Sequence, residues 1–113
     1  MSVSLILIPC DFNKPLELHT SNKDELSKTL RDLIGDYFEV IPTDSSMKYF
    51  FSGELGEIIG DLLFVCDENG LNKNLPHNER ASLLCGTGFV GNVVMFMENK
   101  NITLENANKF FDQ

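Results

Sequence analysis

The chain has 113 residues, 42% of them hydrophobic with nine Phe, and a formal net charge of −8. That length and composition fit one folded domain and exclude a disordered or low-complexity segment. Residues 32–72 hold nine acids and one base, Lys48, while the rest of the chain is neutral; this excludes phosphate-led binding of DNA or RNA, which needs a basic face, and suits a basic partner.

No apolar run approaches the roughly 18 residues of a membrane span. The opening MSVSLILIPCDF has no basic leader and no small-residue cleavage pattern, so a signal peptide is not expected. Three cysteines, Cys10, Cys66 and Cys85, make an odd count with no C-x-x-C. Buried, reduced thiols in a cytoplasmic protein follow.

In chain order, Ser2–Ile8 and Leu16–Thr20 read as strands of a hairpin turned through Asp11–Pro15. Ser21 is placed to cap a helix from about Asn22 to Ile34. Leu26, Leu30, Leu33 and Ile34 give it one apolar stripe, and Gly35 stops it. Tyr37–Ile41 reads as a strand stopped by Pro42. Met47–Phe51 reads as a short strand, and Ser52–Gly60, with three glycines, as a turn or short helix. Asp61–Cys66 is a strongly apolar strand followed by the turn Asp67-Glu68-Asn69-Gly70, where Asn-Gly is expected to supply positive φ. Leu71–Leu75 runs outward to Pro76. Asn78 caps a short helix, Glu79–Leu84, that ends at Gly86. Val90–Met97 is a strand, Asn99–Asn101 a turn, and Thr103 caps a last helix with Leu104, Ala107, Phe110 and Phe111 on one face. The order β-β-α-β-(β)-β-α-β-α predicts an α+β domain: a mixed, mainly antiparallel sheet with helices covering one face.

The stretch Gly86–Gly91, GTGFVG, matches the dinucleotide fingerprint G-x-G-x-x-G. The fingerprint works only after a strand and at the opening of a helix, where the pyrophosphate meets the helix N-terminus. Here a helical segment precedes it and a β-run follows. The glycines therefore read as mechanical: a helix stop and tight backbone, with Phe89 and Val90 docked in the core.

Other constellations are weak. Cys85 with His77 as base would need an exposed, stabilised thiolate, yet Cys85 closes an apolar helix face. No Cys or His pair has zinc-ligand spacing, so no metal and no cofactor are expected. Asp67–Asn72 lacks the alternating acids of a calcium loop, and position 12 would be Asn78. Asn78, Glu79 and Arg80 fix a helix start or, alternatively, line a recognition surface, with Arg80 pairing either a neighbour of Glu79 or an acid of the middle third.

The run FVCDENGLNKNLPHNERASLLCGTGFVGNVVMF, Phe64–Phe96, resembles a family of short proteins of unknown function from bacterial phages, plasmids and mobile islands. The shared features are an apolar strand, an acidic turn, an LPxNxxA helix start and a VGxVV strand. The likeness is close over 61–97, and the stretch 43–60 is longer than the family's usual connection. The resemblance implies a small cytoplasmic accessory protein and brings no catalytic residues with it.

The resulting expectation is a non-enzymatic interaction protein. Its acids Asp44, Glu54, Glu57, Asp61, Asp67 and Glu68 would meet a basic surface of a host defence or regulatory protein, as a nucleic-acid mimic. The alternative is a small-ligand protein holding a nucleotide signal at Asn78, Glu79 and Arg80, between subunits if it is a homo-oligomer. A third expectation, an enzyme using Cys85 and His77, requires a thiol that labels quickly in the native protein.

Overall fold

A computed structural model describes residues 2–51, 53–98 and 100–111. Five strands form one sheet in the order β2-β1-β5-β4-β3. They are β1 Ser2–Ile8, β2 Glu17–Asn22, β3 Phe38–Pro42, β4 Leu63–Asp67 and β5 Val93–Phe96. Each neighbouring pair is antiparallel. Among the described residues four α-helices complete the fold: α1 Leu26–Leu33, α2 Gly53–Asp61, α3 Glu79–Cys85 and α4 Leu104–Lys109. The α+β class, the antiparallel sheet and the order of strands and helices agree with the sequence.

Side chains alternate across the pleat, and that alternation sorts the core into two halves. Ile6, Ile8, Phe64, Cys66, Val93 and Met95 face the side covered by α2, α3 and α4. Leu5, Leu7, Val65, Val94 and Phe96 face the other side, where Leu30 of α1 packs with Leu26 and Leu33 around it. The helix trio thus covers one face while α1 backs the other. Strands buried on both faces need apolar residues at every position, and all four residues of β5 are buried.

Several local expectations are corrected. Ser21 does not cap α1: it lies in β2, and its Oγ meets Thr29 Oγ1 at 2.8 Å while the helix is entered through a 3₁₀ turn, Lys23–Glu25. Met47–Phe51 is not a strand. Ser45–Phe50 is a 3₁₀ segment, because the Asp44 carboxylate accepts from the Ser46 N–H at 3.0 Å and the Asp44 carbonyl from the Met47 N–H at 3.0 Å. Of the two readings of the glycine-rich stretch, the helix holds, as α2, Gly53–Asp61; Ser52 lies outside the described residues. Gly56 permits the close packing of α2: a Cβ there would come within 2.6 Å of the Phe51 carbonyl oxygen.

Gly70 does not take positive φ. It is small because a Cβ would meet Val90 Cγ2 at 2.8 Å, and Asn74, at φ 55°, supplies the left-handed turn instead. Val90 is not part of β5 but forms a single antiparallel bridge to His77. Asn99, in the expected tail turn, lies outside the described residues. Among the described residues no helix is long and apolar enough to cross a membrane.

Candidate functional site: an apolar groove on α3

The site grows from α3. Asn78 caps the helix with its side-chain oxygen, which accepts from the Ala81 N–H at 3.1 Å. Gly86 ends it in the left-handed region at φ 82°. Ala81, Leu84 and Cys85 turn into the core, which leaves Arg80 and Leu83 on the outer side. The 3₁₀ segment is pinned beside the end of α3 by a bond from the Asp44 N–H to the Cys85 carbonyl at 3.0 Å. Its Phe51 packs edge-on against Phe110, with ring centroids 5.2 Å apart, so α4 joins the same wall.

Together these parts enclose an open groove of 840 Å³. Its apolar walls are Phe12, Met47, Phe50, Phe51, Leu83, Leu84, Phe110 and Phe111. Phe50 is 73% exposed and Leu83 66%. Large side chains left in water beside a groove form an unusual surface, since scattered exposure needs no explanation but a contiguous patch does.

Of the polar groups in the groove, Ser82 and part of the Arg80 guanidinium are engaged, while the buried Arg80 Nε has no hydrogen-bond partner among the described residues. Ser82 Oγ donates to the Asn78 carbonyl at 2.7 Å and accepts from the Phe89 N–H at 2.8 Å. Arg80 does not pair with an acid of the middle third as expected. Its Nη2 donates to the carbonyls of Pro9 at 2.8 Å and Asp11 at 3.1 Å, and its guanidinium lies 5.8 Å from the Phe12 ring centre. Burial pulls its pKa down from the usual value, opposed by the nearby charge of Asp11.

The other expected ligand residues divide. Asn78 is unavailable, being 1% exposed with its Nδ2 donating to the carbonyls of Ile8 at 2.8 Å and Gly91 at 2.9 Å. Glu79 is exposed on the groove rim.

The six acids expected to bind a partner do not form one face. Asp67 is 8% exposed. Its Oδ2 accepts from Lys73 Nζ at 2.7 Å and its Oδ1 from the Asn69 N–H at 2.8 Å. The Lys73 bond, then that N–H, hold the carboxyl below its ordinary range against the upward push of burial. This acid clips the turn after β4. Asp61 and Glu68 lie beyond opposite ends of β4, a strand spanning about 13 Å. Asp44, Glu54, Glu57 and Asp61 are exposed on the 3₁₀ segment and α2. Asp44 lies beside Gly86, where an added Cβ would come 3.1 Å from the Asp44 Cβ, but it does not line the groove.

Cys85 and His77 stand at opposite ends of α3, whose seven residues span about 10 Å. Cys85 is buried, and burial raises its thiol pKa. Neither feature makes a nucleophile. The glycine run is mechanical: no helix starts between α3 and β5, and Gly91 takes φ 76° with the Leu75 side chain against it. Phe89 stacks on Phe64 at 5.9 Å. Among the described residues no group of three or more His, Cys, Asp or Glu side chains is arranged to hold a metal ion.

The sequence reading missed the groove because its walls come from four places in the chain: Phe12, the segment 47–51, α3 and the end of α4. The available signal was the aromatic density of two short stretches, the pairs Phe50-Phe51 and Phe110-Phe111.

No family model matches the chain, and neither a curated protein nor a solved structure is found to be similar to it.

Proposed function

We propose that this is a non-enzymatic interaction protein that binds another protein through the groove on α3 and the acids beside it. The observation that carries this reading is the groove itself, open and walled by aromatic and aliphatic side chains. Exposed apolar patches of this kind mark association sites, and aromatic anchors seated in pockets supply most of the energy of protein interfaces.

Charge selects the partner. Glu79 stands on the rim, Asp44 is exposed at the start of the 3₁₀ segment, and Glu54, Glu57 and Asp61 are exposed on α2, so a basic partner is attracted and its approach hastened. A second copy, also at −8, is repelled, which favours a different protein. The resemblance over 61–97 suggests a phage or mobile-element setting and a host defence or regulatory protein as that partner. With Asp67 withdrawn and Glu68 set apart, the carboxylates are better suited to steering around an apolar site than to imitating a nucleic-acid backbone.

The test places a photo-crosslinking residue at Leu83 and, in a second variant, at Leu71, which is 79% exposed and outside the groove. Peptides richer in Lys and Arg than in Asp and Glu, recovered from the Leu83 variant alone, are expected from a cell lysate. Equal capture at both positions, or acidic peptides, refutes the reading.

Arg80 favours a second reading. None of the ion pairs among the described residues involves it, although it lines the groove. The groove would then hold a small anion such as a nucleotide signal, with the guanidinium as its anchor. A thermal-shift screen with nucleotides separates the two, since a ligand at 100 times its Kd adds about 2.7 kcal/mol. No shift with any nucleotide removes this reading.

A further inference from the structure

Resting on the protein-binding reading of the groove, we infer that its occupant enters as an amphipathic α-helix, with one apolar stripe and Lys or Arg along its flanks. The first argument is what the walls lack. The sheet's free edges are β2 and β3, and no residue of either lines the groove. An extended peptide there would find no strand to pair with, and its N–H and C=O groups would lie unpaired against Phe and Leu side chains. Of the polar groups that do line the groove, Ser82 and the Arg80 Nη2 already serve the protein's own backbone, and the buried Arg80 Nε, without a partner among the described residues, is too little to pair a strand. A helix brings its backbone hydrogen bonds with it and presents only side chains.

The second argument is fit. Anchors at i, i+3 or i+4, and i+7 of a helix span about 10 Å, the length of α3, which forms one wall. Phe50 and Leu83 stand in the solvent where such anchors would cover them. The third argument is charge. Glu79 on the rim, in a chain of net charge −8, meets the ends of long basic side chains whose stems lie across the apolar walls.

Three labelled synthetic peptides test this by fluorescence anisotropy at physiological salt: a Leu/Lys peptide with helical periodicity, one of the same composition with strict alternation, and a Leu/Glu peptide with helical periodicity. Each is measured against the native protein and against Leu83→Glu, Phe50→Ser and the distant control Leu71→Glu. Leu83→Glu adds a negative charge, so attraction by net charge alone would strengthen, whereas seating in the groove must weaken.

The helical Leu/Lys peptide is expected to bind and to lose about tenfold or more in affinity with Leu83→Glu and with Phe50→Ser, and little with Leu71→Glu. If the alternating peptide binds as tightly with the same sensitivity, the helical occupant is overturned and the groove reading survives. If the Leu/Glu peptide matches the Leu/Lys peptide, the basic flanks are overturned. If no peptide responds to either groove substitution, both this inference and the protein-binding reading fail. All the substituted side chains are exposed, and circular dichroism checks that each variant is folded.

Discussion

Asn78 ties itself to Ile8, 70 residues earlier in the chain, through a bond of 2.8 Å from its Nδ2 to the Ile8 carbonyl. The same carboxamide also reaches Gly91 and caps α3. One buried side chain therefore holds the end of β1, the start of α3 and the approach to β5 in register, and the groove wall rests on it.

Asn78→Ala removes a helix cap and leaves buried carbonyls without a donor. A cap is worth about 1 kcal/mol and each orphaned buried group about 1–3 kcal/mol. The variant is expected to lose roughly 3 kcal/mol in urea unfolding. Asn78→Asp keeps the cap oxygen but not the amide donor, and should recover only part of that loss.

The glycine fingerprint gives a comparison of two positions. At Gly91, φ is 76° and a Cβ would meet Leu75 Cδ1 at 2.7 Å; at Gly88, φ is ordinary and the space is open. Gly91→Ala is expected to cost about 2 kcal/mol or more and Gly88→Ala to be near neutral. Equal effects in thermal unfolding would refute the mechanical account of this loop.

The Asp67–Lys73 pair predicts a pH dependence. The folded carboxyl titrates below its ordinary 3.8, so its contribution to stability is present above pH 3.8 and is lost as pH falls through the folded value. Asp67→Asn should be less stable than the native protein at neutral pH, and its stability should fall less steeply below pH 3.8. Urea midpoints measured from neutral to acid pH check both parts.

The thiols should separate by burial. Burial, with the nearby charge of Glu39 behind it, pushes the Cys66 thiol up to about 11, and Cys85 is buried too. Cys10 is only half-buried. A thiol reagent at neutral pH is expected to label Cys10 first and the other two only on unfolding. Because the Cys66 pKa is raised, its contribution is complete below the ordinary 9.0 and declines as pH rises toward 11. Rapid labelling of Cys85 in the native state would revive the nucleophile.

The sequence by itself determined the elements whose causes are local. Alternation and unbroken apolar runs located β1, β4 and β5, period-four leucines located α1, and Asn78, Gly86 and Thr103 marked helix ends. It also showed that the glycine run follows a helix and precedes a strand, the reverse of the order the dinucleotide fingerprint needs. Tertiary structure alone decided the rest. Met47–Phe51 has strand-like composition, but Asp44 accepts the N–H of Ser46 and nucleates a 3₁₀ turn that docks on Cys85. Asp67 looks like any other acid of the middle third until Lys73, six residues on, folds back onto it. The groove exists only where four distant segments meet, because exposure belongs to the packed molecule and not to the identity of any one Phe or Leu.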